Sequence, residues 1–141
     1  EESNLTEEQK QIGRITLPSN LAFVAWARGD LETARTRIAE YRSSISEGNV
    51  GQVQTYHSLE GLVAFKAGDF DKAVTEFEQT SSQNPIFVYY LGEALIGQGS
   101  LEKGLDLIGQ AVHFNSVNDM NYALIRAKAT RRLKELQNAG T

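Results

Sequence analysis

Apolar residues recur along the chain at intervals of three and four positions, which is the period of an amphipathic helix. Four such stripes begin at Leu31, Phe70, Leu101 and Tyr122. No segment alternates strictly between apolar and polar residues, as a half-buried strand does. The hydrophobic pattern therefore predicts an all-α protein.

Capping residues and prolines divide the chain into eight predicted helices. A capping box formed by Thr6 and Gln9 begins the first helix. Because the residue before a proline avoids helical geometry, we expect this helix to end before Pro18 and a second helix to begin there. Asp, Asn and Ser residues are suitable N-caps for the later helices. The predicted helices span about 7–16, 18–28, 31–46, 50–67, 70–82, 85–97, 101–114 and 119–137.

A six-residue motif recurs at 29–34, 68–73 and 99–104. Each copy contains a glycine, a capping residue, a large apolar residue, an acid, any residue and then a small residue. The glycine can end one helix in a left-handed conformation, and the capping residue can begin the next. The small residue lets two helices approach closely. The last copy has Gly104 in this position, and we expect it to loosen that hairpin by about 1 kcal/mol relative to alanine.

This motif resembles the tetratricopeptide repeat (TPR), in which about 34 residues fold as two antiparallel helices. The middle copy carries Gly61, Ala64, Ala73, Phe77 and Pro85 at the family's small, aromatic and proline positions. The resemblance, which is to bacterial members in particular, implies an α-solenoid of about three helical hairpins with an N-terminal helix and a C-terminal capping helix. It implies a single domain over 1–141, with repeats at about 15–48, 54–84 and 85–118 and the capping helix at 119–137.

Composition excludes several classes of function. A chain of 141 residues with 40% hydrophobic and 23% charged residues has the balance of one globular domain. It contains no cysteine, and His57 and His113 are far apart in sequence, so we expect no metal site, no cofactor, no catalytic residue and no enzyme activity. No apolar run approaches the length of about 18 residues that a membrane span needs.

The net charge of −4 argues against a general nucleic-acid binder. Basic residues are concentrated near the end of the sequence, where 123–141 contains five basic residues and one acid. We interpret them as a solvated helix end that complements the helix dipole. The lack of cysteine and of an initial Met favours an exported or periplasmic bacterial protein over a cytoplasmic one, without fixing the compartment.

The first helices of successive TPR repeats line a concave groove that holds a peptide. The resemblance therefore implies a non-catalytic scaffold that binds a protein or peptide and is a monomer or a weak homo-oligomer. The alternative is a structural unit that self-assembles through its repeat ends. The implied groove residues are Phe23, Trp26, Ser58, Leu62, Phe65, Lys66, Tyr89, Tyr90 and Glu93.

Among these residues, Tyr89 is expected to face the groove opposite Leu62 and Lys66. With Glu93 one turn away, it suits a peptide that has an apolar anchor and a nearby basic residue. The aromatic residues also fit a core between helices. From the sequence alone, each of them is therefore either a groove residue or a core residue.

Overall fold

The computed structural model describes residues 6–114 and 120–139, which contain seven helices. The helices are α1 (Glu7–Arg28), α2 (Leu31–Ser44), α3 (Val50–Ala67), α4 (Phe70–Phe77), α5 (Pro85–Gly97), α6 (Leu101–Val112) and α7 (Met120–Ala139). No residue of these two described ranges lies in a strand. The prediction of an all-α fold is confirmed.

Each odd-numbered helix packs against the even-numbered helix that follows it, so that α1/α2, α3/α4 and α5/α6 form helical hairpins. The first helices of the hairpins also touch in series, α1 with α3 and α3 with α5. Helix α7 packs on both α5 and α6. The result is a short helical-hairpin solenoid in which α7 covers the last hairpin.

Glycines end the first helices as the recurring motif predicts. Gly29, Gly68 and Gly99 have φ values of 85°, 81° and 93°, a region that residues with a Cβ rarely occupy. Asp30 and Asp69 then cap α2 and α4 by accepting a hydrogen bond from a backbone N–H in the first turn. Ser100 precedes α6 but makes no capping hydrogen bond through its side chain.

The helices predicted at 7–16 and 18–28 are in fact one helix, α1, which continues through Pro18. A proline inside a helix removes one backbone hydrogen bond, here to the carbonyl of Arg14. Both halves of α1 are held independently of that bond, by the capping box of Thr6 before the proline and by burial of Ala22 after it. The break was therefore wrongly predicted, because the proline preference is local and packing on either side outweighs it.

Other boundaries differ less from the prediction. Helices α3 and α5 have the predicted bounds, while α2 ends at Ser44 and α6 at Val112, two residues early. Helix α4 ends at Phe77 instead of residue 82, because the backbone N–H groups of Gln79 and Thr80 donate only three residues back, at 3.1 Å and 3.0 Å, and the N–H of Gln83 donates to the Ser81 hydroxyl. Such bonds compete with helix continuation. The end of the third predicted repeat, 115–118, lies outside the described residues.

The hairpins close tightly at glycines that face a neighbouring helix. A Cβ at Gly61 would lie 2.7 Å from the ring of Phe77, and a Cβ at Gly104 would lie 2.6 Å from the carbonyl oxygen of Gly92. The contact between Gly92 and Gly104 brings α5 and α6 together backbone to backbone. The expected loosening at Gly104 considered helix propensity alone and omitted this contact.

Candidate functional site

An aromatic row crosses the first helices and links α1 to α5. Trp26 of α1 donates its indole N–H to the carbonyl of Leu62 in α3 at 2.8 Å. Its ring also packs edge-on against Tyr90 of α5, with centroids 5.8 Å apart. Phe23 packs on the other side of Trp26 at 5.3 Å. Trp26 thus joins three successive hairpins and packs against both hydrophobic clusters of the core.

Lys66 fixes the same tryptophan from α3. Its ammonium group donates to the carbonyl of Trp26 at 2.6 Å and lies 5.1 Å from the centre of the indole ring. The carbonyl belongs to the last turn of α1, where a cation complements the negative end of the helix dipole. The exposed Lys66 therefore places positive charge beside an aromatic surface whose geometry is already set.

The other end of the row lies beneath α7. Tyr90 contacts the rings of Phe65 and Tyr89 at 5.4 Å and 5.2 Å. Lys128 of α7 donates to the Tyr90 hydroxyl at 3.0 Å, and its ammonium group lies 4.7 Å from the ring centre of Tyr90 and 5.1 Å from that of Tyr89. A cation over two aromatic faces is attracted to both rings.

Glu93 binds two polar side chains in this region. Its carboxylate accepts a hydrogen bond from the Tyr89 hydroxyl at 2.7 Å and from Arg132 of α7 at 2.8 Å. The Glu93 side chain is only 11% exposed. Burial, followed by the hydrogen bond to Glu93, raises the pKa of Tyr89. The hydrogen bond to Glu93 raises the pKa of Arg132, so both partners stay protonated beside the carboxylate.

The implied groove residues fall into two groups in the structure. Ser58, Leu62, Tyr89 and Tyr90 are buried, and Trp26, Phe65 and Glu93 are partly buried, whereas Phe23 and Lys66 are exposed. Tyr89 was expected to face an open groove, but it is 3% exposed because α7 packs over it. The accessible part of the set is therefore at α1 and the end of α3.

Sequence reasoning missed three residues of this region. Lys128 and Arg132 belong to the basic run that we interpreted as a solvated helix end, and their one-turn spacing was the only signal that they share a face. Ile12 lies three helical turns before Phe23 and so on the same side of α1, and it is 55% exposed. We call Ile12, Phe23, Trp26, Phe65 and Lys66 together the aromatic face.

Two further polar pairs join α3 to α4. Glu60 accepts a hydrogen bond from Lys72 at 2.6 Å, and His57 contacts Glu76 at 2.7 Å. In the part of the chain that the structure describes, no group of three potential metal ligands is found. None of the described helices is long and apolar enough to cross a membrane.

Comparison with known proteins finds one family model that matches part of the chain. The family model described as "Tetratricopeptide repeat" matches residues 19–40, which cover the end of α1 and the first part of α2. No curated protein and no solved structure shows significant similarity to the chain. The matched segment contains Phe23, Trp26, the turn at Gly29 and the cap at Asp30.

Proposed function

We propose that this tetratricopeptide repeat protein is a non-catalytic binding module that holds a protein or peptide partner on its aromatic face. Repeats of this family are generally protein–protein interaction modules, and short solenoids use the surface of their stacked first helices for binding. The observation that carries the proposal is the exposure of Phe23. This residue is 44% exposed, although it packs on the ring of Trp26, which is held in place by three interactions.

A rigid exposed aromatic residue suits an anchor because little conformational entropy is lost when a partner binds to it. Trp26 is fixed by the carbonyl of Leu62, by the ammonium group of Lys66 and by the ring of Tyr90. Phe23 packs on that fixed ring. Ile12, three turns away on the same side of α1, is a second exposed apolar residue that a partner can contact.

The charge beside this surface defines the partner further. The sequence suggested a basic residue in the ligand, to pair with Glu93. In the structure Glu93 already binds Arg132, and the charge next to the exposed aromatic residues is that of Lys66. The partner we propose therefore presents an apolar side chain with an acidic group or a free carbonyl close to it.

Selection from a random peptide library against the full chain tests this function. For the selected peptides, we expect Phe23→Ala to weaken binding by about 30-fold, the loss typical of an aromatic anchor. Leu101→Ala is the matched control, because Leu101 is also an exposed apolar residue, 51% accessible, but lies at the start of α6. It should leave the affinity unchanged.

Thermal melting of both variants establishes that they are folded. The proposal fails if the selected peptides tolerate Phe23→Ala, or if both substitutions weaken them equally. Light scattering of the unliganded protein over a range of concentrations separates partner binding from the alternative of self-assembly through the repeat ends.

A further inference from the structure

Helix α1 carries a second apolar stripe, away from the aromatic face. Leu17, Leu21 and Val24 follow a spacing of four and three residues, which aligns them along one side of the helix. Their exposed fractions are 57%, 38% and 44%. Because successive residues are about 100° apart, Leu21 and Phe23 point about 160° apart around the axis. The stripe is thus separate from the surface proposed above.

Basic residues continue this stripe at both ends. With the same spacing, Arg14 precedes Leu17 and Arg28 follows Val24. Neither arginine has an ion-pair or hydrogen-bond partner among residues 6–114 and 120–139. A shallow depression of about 480 Å³ lies at the N-terminal end of the stripe and is lined by Gly13, Arg14 and Leu17. Open space surrounds the position of a Cβ at Gly13, so another backbone can approach α1 closely there.

We propose that Arg14, Leu17, Leu21, Val24 and Arg28 form a docking stripe for one amphipathic helix of a partner, with apolar residues at matching spacing and acids at both ends. Three apolar positions in a single line fit the seam between two helices. Acids opposite Arg14 and Arg28 would pair with the two guanidinium groups and fix the register, as flanking charges do in coiled coils.

Charge disfavours a second copy of this chain as the occupant. An antiparallel pair of stripes centred on Leu21 would place Arg14 of each copy opposite Arg28 of the other. If the stripe packed on α7 of a second copy, it would face the depression on that helix, which is lined by three cations, Arg126, Arg131 and Lys134, and by one acid, Glu135. Both arrangements bring like charges together, which is destabilising.

The narrowness of the stripe favours a helix over a lipid surface. Helices that lie in a membrane interface present a broad apolar face to the acyl chains. Here the polar residues Gln9, Thr16 and Asn20 border the same part of α1. The apolar line is one residue wide, which matches the contact line of a single helix.

Two synthetic helical peptides serve as probes for this stripe. Each is about 18 residues long, the length of the stripe with its flanking turns, and carries three leucines at the matching spacing. One peptide has glutamates at both ends of the leucine line, and the other has lysines at the same places. Binding to the full chain is measured by fluorescence anisotropy at low and at physiological salt.

We expect the glutamate peptide to bind at least 10-fold more tightly than the lysine peptide. The double variant Arg14→Glu/Arg28→Glu should reverse this preference, and Leu21→Ala should weaken both peptides by at least 5-fold. Phe23→Ala is the matched control on the same helix, and it should leave both affinities unchanged. Because Phe23 belongs to the aromatic face and not to the stripe, this control also tests the two surfaces independently. Either proposal can be contradicted while the other holds.

Three results would overturn the proposal. The first is a peptide preference that survives charge reversal, or an affinity for the peptides that Leu21→Ala leaves unchanged. The second is concentration-dependent dimerisation of the protein alone that Leu21→Ala abolishes, which would assign the stripe to a second copy. The third is co-sedimentation with phosphatidylserine vesicles, again lost in Leu21→Ala, which would assign it to a membrane surface. Because all these positions are exposed, circular dichroism and melting should show unchanged folding.

Discussion

At the scale of single residues, Tyr89 shows why an aromatic residue at a groove position need not be available to a ligand. Its hydroxyl donates to Glu93, and its ring lies beneath the ammonium group of Lys128. Both the polar and the apolar parts of the side chain are therefore already used within the fold. The hydroxyl contact also affects the stability of the fold at high pH.

Burial and the contact with Glu93 raise the pKa of Tyr89 above its ordinary value of 10.0. Above that pH the unfolded chain releases the Tyr89 proton and the folded chain retains it, so the free energy of unfolding decreases. Tyr89→Phe removes this contribution and keeps the ring. Between about pH 8 and about pH 10.5, we expect the stability advantage of the wild type over Tyr89→Phe to shrink by about 0.8 kcal/mol.

Urea unfolding of the two proteins at both pH values measures this difference. Lysines and other tyrosines also titrate in this range, but they are common to both proteins and cancel in the comparison. An advantage that stays constant with pH would show that Tyr89 ionises equally in the folded and unfolded states.

The sequence could place Tyr89 and Tyr90 on a helix but could not decide which of them is covered. Two adjacent positions on one helix point about 100° apart, so the two tyrosines were not expected to be buried equally. Both are buried, because α3 and α7 pack on the two sides of α5. That outcome depends on contacts between distant parts of the chain, which local periodicity does not contain.

At the scale of the helices, hairpin α5/α6 depends on two glycines that let the backbones meet. The carbonyl of Gly92 lies where a Cβ on Gly104 would be, at 2.6 Å. The space is limited by backbone, which moves less easily than the end of a side chain. Glycine at this position is thus a packing requirement, although it is an unfavourable residue for a helix.

A pair of substitutions in α6 separates packing from helix propensity. Gly104→Ala should lower the free energy of unfolding by about 1–2 kcal/mol, because overpacking exceeds the gain in propensity. Gly109→Ala is the matched control in the same helix, where a Cβ would meet nothing within 4 Å. It should raise the free energy of unfolding by about 0.5–1 kcal/mol. Urea unfolding measures both, and an increase for both would mean that α5 and α6 separate without cost.

Helix starts and turns were well predicted because they depend on local chemistry. Asp30 and Asp69 cap their helices, and Gly29 and Gly68 adopt positive φ, as the recurring motif indicated. The prediction at Pro18 was wrong because the outcome there does not depend on local chemistry alone. The proline's local preference for a helix start competes with a capping box on one side and a packed face on the other, and the continuous helix is the outcome.

At the scale of the whole molecule, α7 completes the structure through charged groups that reach the first helix of the last hairpin. Lys128 and Arg132 contact Tyr90 and Glu93, which lie 38 and 39 residues earlier in the chain. The one-turn spacing of Lys128 and Arg132 indicates that they share a face of α7, but only the packed structure shows that this face is turned inward. The sequence therefore predicted the helix but not the residues by which it docks.

Arg132 tests whether α7 is held by this contact. Arg132→Ala leaves the carboxylate of Glu93, 11% exposed, without its cation, and a buried charge without a partner is costly. Arg132 itself is 34% exposed, so we expect a moderate loss of about 1–2 kcal/mol in the free energy of unfolding. Arg131→Ala is the matched control, because Arg131 is 76% exposed and should change stability by less than about 0.5 kcal/mol.

The cause of this loss can be separated from the loss of side-chain packing. If the unpaired carboxylate is responsible, Glu93→Gln in the Arg132→Ala background should recover about half of the stability, since a neutral amide is cheaper to bury than a charge. Hydrogen exchange of the α7 amides should quicken in Arg132→Ala and slow again in the double variant. Equal exchange in the wild type and Arg132→Ala would instead show that α7 is held by its apolar contacts, chiefly the buried Ile125 and Ala129.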